Sequence, residues 1–238
     1  MPLSLDRQNA YRKRYARAHP GWRPATERYE MLIRAHLRPG MTVLDLGCGR
    51  GGVLEQLGAA VERPIGLDPD FASLREHRLP DLPRAVALAD ALPLRAGCVD
   101  LVLASWVLEH VTNPARVFGE IGRALRPGGA FIFLAPGAHS LAALINRAFG
   151  PLQRWLVPRL YGRHETDAFP VVYRANTRAQ IEALARGAGM RLDTLLQIHD
   201  PTYFAFHPLL FRLNAALSSV LPPSMAEHLV GVCVKSSG

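Results

Sequence analysis

The chain has 238 residues, of which 49% are hydrophobic and 20% are charged. This length suits one domain of ordinary size, and the composition excludes an intrinsically disordered chain. The formal net charge is +8, but nearly all the basic residues are arginines, a bias that genome composition also produces. We therefore expect no nucleic acid as a partner.

The positive charge is concentrated in two segments of the chain. Residues 1–38 carry nine basic and three acidic side chains, and residues 139–191 carry eight and three. Such segments indicate either solvated, arginine-rich helix faces or a basic rim that attracts an anionic substrate or an anionic membrane surface. No uncharged run reaches the length of a spanning helix, so any membrane contact is expected to be peripheral.

Three cysteines, Cys48, Cys98 and Cys233, show no spacing typical of a disulfide framework. Cys98 and Cys233 lie in or beside apolar runs and are predicted to be small buried side chains. The first 15 residues lack the apolar core of a signal peptide. These features predict a reducing, cytoplasmic setting, and they leave the oligomeric state open.

In chain order, apolar runs alternate with helical patterns from residue 41 onward. Strands are predicted over residues 42–46, 64–68, 84–90 and 99–105, and short helices over 53–57 and 71–79. The strands are nearly continuous apolar runs, as expected for parallel strands that are buried on both faces.

The next helix has a capping residue, Asn113, and a proline suited to its first position, Pro114, and Thr177 begins a later helix as a capping box. The remaining strands are predicted over residues 130–136, 190–198 and 229–236. The glycines after Pro127 are predicted to stop the helix that Asn113 begins. The pattern predicts an α/β fold, a doubly wound sheet with helices on both faces.

Two long stretches interrupt this alternation. We expect an N-terminal helical segment over residues 1–40 and a domain over 41–238 with cap insertions at 139–175 and 200–227. The insertions mix apolar residues with arginines. They are predicted either to cap the core or to form an apolar acceptor tunnel with a basic mouth.

The stretch VLDLGCGRGG, residues 43–52, joins the first predicted strand to the first helix that follows. Its glycines Gly47, Gly49 and Gly52 satisfy the pattern G-x-G-x-x-G. Asp68 ends the next strand, 21 residues after the first of these glycines. Because this arrangement is typical of dinucleotide-binding turns, the spacing alone allows a nicotinamide or flavin enzyme.

Two further carboxylates favour a different ligand. Asp45 lies two residues before the turn, where it would repel a pyrophosphate and attract an ammonium group. Asp90 ends the third predicted strand and is followed by Ala91, Leu92 and Pro93, and with a free backbone N–H at this crevice it would recognise the edge of an adenine. With a ribose at Asp68, the three acids match the amine, sugar and purine of S-adenosylmethionine in order.

These motifs resemble those of the class I S-adenosylmethionine-dependent methyltransferases, in the type 11 group that includes the quinone-biosynthesis methyltransferases. The resemblance is carried by VLDLGCGRGG, GLDPD (66–70), ADALPL (89–94), VDLVLASWVLEHV (99–111) and LRPGG (125–129). It implies a Rossmann-like sheet of seven strands in the order 3-2-1-4-5-7-6 with strand 7 antiparallel. It also implies methyl transfer with S-adenosylhomocysteine as the product.

The resemblance also implies roles for individual residues. The residues that would contact the cofactor are Asp45, Gly47, Cys48, Gly49, Asp68, Pro69, Asp90, Ala91, Ser105, Tyr11 and Tyr15. Pro69 would lie against the adenine, and the backbone carbonyl of Ser105 would lie under the sulfonium. Tyr11 and Tyr15, one helical turn apart, would close over the cofactor, with a surface helix as the alternative.

Other residues are candidates for the acceptor side of the site. His110 follows the fourth strand, and its imidazole titrates near neutrality, so it is either the catalytic base or a residue that shapes the turn. Trp106, His139 and Tyr173 are candidates to line an acceptor pocket, each with a structural role as the alternative. Glu109 is predicted to face away and to pair with an arginine. No metal ion is expected.

The sequence therefore favours transfer of a methyl group to a small molecule, either apolar and lipid-like or aromatic. The alternatives are a catalytically silent cofactor-binding or scaffold protein, an NAD-dependent oxidoreductase and a nucleic-acid methyltransferase. The oxidoreductase is disfavoured because the insertions are too short for a separate substrate domain. The acceptor atom (O, N or C) and the need for a base stay open.

Overall fold

The computed structural model describes residues 5–148 and 171–237, and these residues form one seven-stranded sheet with helices between the strands. The strands are β1 (Thr42–Leu46), β2 (Arg63–Asp68), β3 (Arg84–Val86), β4 (Val99–Ser105), β5 (Leu125–Pro136), β6 (Met190–Ile198) and β7 (His228–Lys235). Their order is β3-β2-β1-β4-β5-β7-β6. The pairs β1–β2, β1–β4, β2–β3 and β4–β5 are parallel. The predicted fold class and strand order are confirmed.

The last strand runs against its neighbours. Just past the end of β5, the N–H of Gly137 donates to the carbonyl of Glu227, which immediately precedes β7 (2.9 Å). At the start of β5, the carbonyl of Leu125 accepts from Nζ of Lys235, the last residue of β7 (2.6 Å). Because the end of one strand lies beside the start of the other, β7 is antiparallel to β5, as predicted.

The helices of the described residues follow the predicted alternation. They are α1 (Leu5–Ala18), α2 (Ala25–His36), α3 (Val53–Leu57), α4 (Phe71–Arg75), α5 (Pro114–Ala124), α6 (Leu141–Ala148), α7 (Arg178–Gly187) and α8 (Pro208–Ser218). Both predicted caps are confirmed, because Asn113 accepts from the N–H of Arg116 and Thr177 accepts from the N–H of Gln180, each at 3.3 Å.

Three predicted boundaries are wrong. β3 ends at Val86 because a turn follows, and α4 ends at Arg75 because Glu76 leaves the helical conformation (φ −95°, ψ 13°). β5 begins at Leu125, which is already extended (φ −66°, ψ 141°), so the residues after Pro127 lie in a strand and do not stop the helix. Cys233 is buried as predicted, whereas Cys98 is only half-buried.

The core lies on both faces of the central strands. Phe118 of α5 meets Phe131 of β5 edge to face, with ring centroids 5.5 Å apart, and Phe131 contacts Phe133 at 5.4 Å. All three rings are fully buried. Burial of large aromatic side chains dominates the energetics of such a core, and it fixes the strands whose ends carry the candidate site.

The chain divides into two compact units. Of the described residues, the first unit takes 5–25, 136–148 and 197–229, and the second takes 26–135, 171–196 and 230–237. Residues 26–40, which the sequence pattern assigned to the N-terminal segment, fall in the second unit with most of α2. The part of the predicted insertion at 139–175 that spans 149–170 lies outside the described residues.

Candidate functional site

The glycine turn after β1 has a backbone that other residues could not adopt without strain. Gly47 has φ +76°, and its N–H donates to the carbonyl of Leu67 at the end of β2 (2.7 Å). A Cβ on Gly47 would lie 2.4 Å from Cγ2 of Val107. Gly49 and Gly51 also have positive φ, at 49° and 114°. The turn therefore needs glycine for both conformation and space.

Asp68, at the end of β2, is bound by the backbone on both carboxylate oxygens. Its Oδ2 accepts from the N–H of Gly49 and its Oδ1 accepts from the N–H of Asp70, each at 2.8 Å. Asp70 in turn caps α4 by accepting from Ala72 and Ser73. Each carboxylate oxygen has a second acceptor direction, so Asp68 can still receive two hydroxyl groups of a ligand.

Asp45, in β1, is buried beside this turn, with 4% of its surface exposed. Burial and, as the smaller cause, the nearby charge of Asp68 together raise its pKa to about 7. A positive ligand group near Asp45 would relieve both effects. The buried thiol of Cys48 has its pKa raised to about 12, first by burial and then by these two carboxylates, so it stays protonated near neutral pH.

Tyr29, in α2, is a further residue of this region, and sequence reasoning missed it. It is buried, and its pKa is raised well above 10 by burial and then by the charge of Asp45. Ala25, Tyr29 and Ile33 are all buried and follow one another at intervals of four. That helical spacing was the available signal, since residues four apart lie on one face of a helix.

The loop after β3 is fixed by side chains of α5. Arg116 donates to the carbonyl of Asp90 (2.9 Å), and Arg123 donates to the carbonyl of Leu94 (2.7 Å). Glu120 accepts from the N–H of Leu92 (2.9 Å). The N–H of Ala91 donates to the carbonyl of Leu88 in a turn (3.1 Å), so neither Ala91 nor Leu92 supplies the free backbone N–H that was expected after Asp90.

Apolar surface is exposed next to this loop. Val86 pairs with Asp68 in the β2–β3 register, and Pro69 directly follows Asp68. Val86, Leu88 and Pro69 are all exposed. A carboxylate at a strand end can hold a sugar, and the exposed apolar side chains beside it can cover the face of the attached base.

The end of β4 carries a strained aromatic residue. Ser105 is half-buried, and Trp106 has φ +60°, a value rare for a bulky side chain. The N–H of Trp106 donates to the carbonyl of Leu134 in β5 (2.8 Å), which holds this conformation. Outliers of this kind cluster at functional sites, and the indole is exposed as an acceptor platform requires.

Glu109 and His110 follow within one short turn. Glu109 is 5% exposed, its Oε2 has no hydrogen-bond partner among the described residues, and burial raises its pKa to about 7. Its Oε1 lies 3.9 Å from Nε2 of His110. The prediction that Glu109 faces away and pairs with an arginine is wrong, because its carboxyl group is buried and, among the described residues, its nearest ionisable neighbour is His110.

The segment around Tyr173 packs against this turn. The N–H of Val172 donates to the carbonyl of Glu109 (2.7 Å), and Arg174 donates to the carbonyl of Thr112 (2.6 Å). Tyr173 between them has φ +50°. The structure therefore brings Trp106, Glu109 and the Tyr173 segment into one unit, as candidates for one side of an acceptor site.

Comparison with known proteins agrees with this geometry. Residues 44–133, which hold the glycine turn, Asp45, Asp68 and the loop after β3 with Asp90, match a family model described as a methyltransferase domain. The match extends from β1 into β5 of the sheet described above. The matched domain and the strand order together support a class I S-adenosylmethionine-dependent methyltransferase.

Two curated relatives each match more than two thirds of this chain. An uncharacterized 37.1 kDa protein in transposon TN4556 of Streptomyces fradiae is 36% identical over 71% of this chain and 48% of its own length. The mitochondrial ubiquinone biosynthesis O-methyltransferase of Rattus norvegicus is 26% identical over 68% of this chain and 48% of its own length. The chain thus spans about half the length of the curated relatives it matches.

A solved structure extends the likeness to nearly the whole chain. A chain of the complex described as that between the Haloferax volcanii Trm112 methyltransferase activator and the putative methyltransferase superposes with a TM-score of 0.64 and 22% identity. The superposition covers 98% of this chain and 95% of the other. At this identity the likeness shows the methyltransferase fold alone.

Three residues that the methyltransferase resemblance placed at the site lie in the first unit. Tyr11 contacts Phe211 with ring centroids 4.6 Å apart, and Tyr15 is buried against Phe211 and Trp22. His139 is exposed. Packing within this aromatic cluster is enough to explain why both tyrosines have apolar surroundings. Their contact with a cofactor stays a prediction.

The first unit also contains a buried polar network that sequence reasoning missed. Nε and Nη2 of Arg12 donate to Oδ2 of Asp200 (3.0 and 2.8 Å), and Oδ1 of Asp200 accepts from Thr202. Glu227 accepts from the N–H of Asp200 (2.9 Å), and the hydroxyl of Tyr203 lies 3.0 Å from Nε2 of His228. The network ties α1 to the loop before α8.

Proposed function

We propose that the chain binds S-adenosylmethionine in the second unit and transfers its methyl group to a small-molecule acceptor, with S-adenosylhomocysteine as the product. The observation that carries the proposal is the Asp68 carboxylate, which two backbone N–H groups orient at the end of β2. Its two remaining acceptor directions suit the adjacent hydroxyls of a ribose.

Electrostatics at the turn favour this cofactor over a dinucleotide. Asp45 and Asp68 lie close enough for the charge of one to raise the pKa of the other. A pyrophosphate would add negative charge to a site that already disfavours it, whereas an ammonium would offset it. The apolar surface of Pro69, Val86 and Leu88 suits a purine face.

The cofactor, when bound, supplies an electrophilic methyl group on its sulfonium. The residues around it would bind, orient and exclude water. Asp45 would hold the amino group, and the strained Trp106 at the end of β4 would bound the acceptor pocket. An acceptor that reacts through a hydroxyl must lose a proton, and His110, with Glu109 3.9 Å away, is placed to take it.

The acceptor that this arrangement supports is a small apolar or aromatic molecule. Trp106 offers an exposed aromatic face, and Tyr173 lies in the segment that packs on the Glu109 turn. The relative from Rattus norvegicus is described as a ubiquinone biosynthesis O-methyltransferase, which supports a hydroxylated aromatic ring as the first class to assay.

Replacing Asp68 tests the cofactor part of the proposal. Calorimetry should detect binding of S-adenosylmethionine and S-adenosylhomocysteine but not of NAD. Asp68→Ala should weaken binding of S-adenosylmethionine by about 1–3 kcal/mol, because hydrogen bonds to a charged group are lost. Asp81→Ala, at an exposed carboxylate, is the matched control and should bind as the wild type does. Binding of NAD, or an unchanged affinity in Asp68→Ala, would refute the assignment.

A second variant tests the base. With catechol and quinol acceptors, His110→Gln should lower kcat by about 10²-fold while cofactor affinity is retained, because only proton transfer is removed. His36→Gln, in α2, is the control, since its ring binds a helix carbonyl (2.8 Å). An unchanged kcat would remove His110 from catalysis. Cofactor binding without transfer to any acceptor would instead indicate a catalytically silent binding protein.

A further inference from the structure

Helix α8 in the first unit turns an apolar face to the outside. Leu209, Leu213 and Leu217 follow at intervals of four, and so lie on one face of the helix. Leu210 lies beside them, and Val220 follows the end of the helix. These five side chains are between 40% and 77% exposed. Large aliphatic side chains gathered on one exposed face are unusual for a soluble helix and mark an interaction surface.

The buried face of α8 is a different one. Phe211, Asn214 and Ser218 are buried, and Phe211 packs on Tyr11 and Tyr15 of α1. Asn214 donates to the carbonyl of Pro201 (2.9 Å). Since these contacts already fix the helix in its unit, the exposed leucines are not needed to hold it there.

The charge of the exposed side chains in the same unit favours an anionic partner. In its described residues, exposed basic side chains are contributed by Lys13, Arg14, Arg17, Arg23, Arg147 and Arg212. The acidic residues of the same part of the chain are Asp6, Asp200 and Glu227, and the last two are buried. The exposed surface of the unit is thus strongly basic, and Arg212 lies within α8 itself.

A second, smaller apolar surface belongs to the same unit. Leu144 and Ile145 of α6 are exposed, and the basic Arg147 follows them in the same helix. Both helices therefore combine exposed aliphatic residues with a nearby arginine. Among the helices in the described ranges, none has the length and apolar character required to cross a membrane.

We propose that the α8 face, defined as Leu209, Leu210, Leu213, Leu217 and Val220, docks on the surface of an anionic lipid bilayer. Aliphatic side chains on one helix face enter the acyl boundary while surrounding basic groups meet anionic headgroups. A second copy of the chain is a poorer occupant, because it would bring an equally basic unit against this one. The proposal does not depend on the proposed catalytic activity.

Vesicle co-sedimentation with the full chain tests this docking. The probes are vesicles of phosphatidylcholine alone and of phosphatidylcholine with phosphatidylglycerol in equal parts. The wild type should sediment with the anionic vesicles only, and less so as salt rises above about 0.15 M. Leu209→Gln/Leu213→Gln should reduce binding about tenfold or more, because two aliphatic contacts with the bilayer are lost.

Two further variants make the result interpretable. Met31→Gln replaces a similarly exposed apolar residue of the second unit and should bind as the wild type does. Lys13→Gln/Arg14→Gln/Arg17→Gln should weaken binding and flatten its salt dependence. Circular dichroism melting confirms that each variant is folded.

Three outcomes would overturn the proposal. The wild type could stay in the supernatant with anionic vesicles at low salt, or the double leucine variant could bind as tightly as the wild type. Light scattering could also show a wild-type dimer that the leucine variant dissociates, which would assign the face to a second copy. None of these outcomes bears on cofactor binding, which calorimetry measures separately.

Discussion

Asp45→Asn is expected to weaken binding of S-adenosylmethionine by about 10²-fold at about pH 8, because an ammonium group loses its charged partner. In the wild type, the pKa of Asp45 is raised to about 7. A cationic ligand selects the ionised form, so wild-type affinity should rise with pH up to about 7 and then level off. In the variant this rise should disappear.

The same substitution should stabilise the ligand-free chain. A carboxyl group whose pKa is raised on folding binds its proton more tightly in the native state, so stability falls as pH rises from about 4 to about 7. Above that range Asp45→Asn should raise the free energy of unfolding by on the order of 3 kcal/mol, and below about pH 4 by little. Urea unfolding at both ends of the range measures the difference.

Calorimetry in buffers of different ionisation enthalpy adds a direct readout. Near pH 7, wild-type binding should release a fraction of a proton that Asp45→Asn does not release. Asp70→Asn is the matched control, because Asp70 caps α4 with its side chain and asparagine also caps helices. A pH-independent wild-type affinity, or an equal loss in the control, would contradict the role given to Asp45.

Arg12→Met is expected to destabilise the chain by about 2–3 kcal/mol, because it leaves the buried carboxylate of Asp200 without its cationic partner. The arginine is partly exposed, with 22% of its side chain accessible, so solvent recovers part of the full cost of an unpaired buried charge. The expected result is a lower midpoint in urea unfolding at neutral pH.

The double variant Arg12→Met/Asp200→Asn should lie within about 1 kcal/mol of the wild type, because asparagine removes the charge and still accepts from Thr202. Arg178→Met is the control for a surface pair. Its partner Glu182, four residues on and 3.1 Å away, is well exposed, so the change should cost about 0.5 kcal/mol or less. Equal losses of stability in Arg12→Met and Arg178→Met would show that the Arg12–Asp200 pair contributes no more than a surface ion pair.

The hydrophobic pattern, together with the positions of glycine and proline, was enough to predict the strands of the sheet. Apolar runs flanked by Gly47 or Pro114 place strand and helix limits closely, because these residues restrict the backbone locally. The order of the strands came from family resemblance and not from periodicity. β3 was predicted too long because the apolar run continues past Val86, whereas the pairing with β2 stops there.

The candidate site was predictable where one residue acts through its own position on a strand. Asp45 and Asp68 follow this rule, because the ends of parallel strands meet at one edge of a sheet. The prediction of a free backbone N–H after Asp90 was wrong, because a local turn gives the N–H of Ala91 a partner. Glu120 binds the N–H of Leu92 in the same loop, and this contact depends on how α5 packs. Such contacts between distant segments leave no periodic trace.

Burial was the other quantity that the sequence did not supply. Glu109 follows an apolar strand in a motif that reads as exposed, and only the packed turn shows that its carboxyl group is enclosed. Tyr29 lies in a helix that was assigned to the N-terminal segment, yet it is one of the groups that Asp45 perturbs. Desolvation is the largest cause of the raised pKa of both Glu109 and Tyr29, and it depends on the whole surroundings of a group.

The hydrogen bonds from Gly49 and Asp70 have a consequence for binding rates and entropy. They hold the Asp68 carboxylate in one rotamer before any nucleoside arrives. The loss of side-chain freedom is thus incurred during folding, and association has only to immobilise the incoming molecule. A receptor fixed in this way is expected to change little in backbone shape when it is filled.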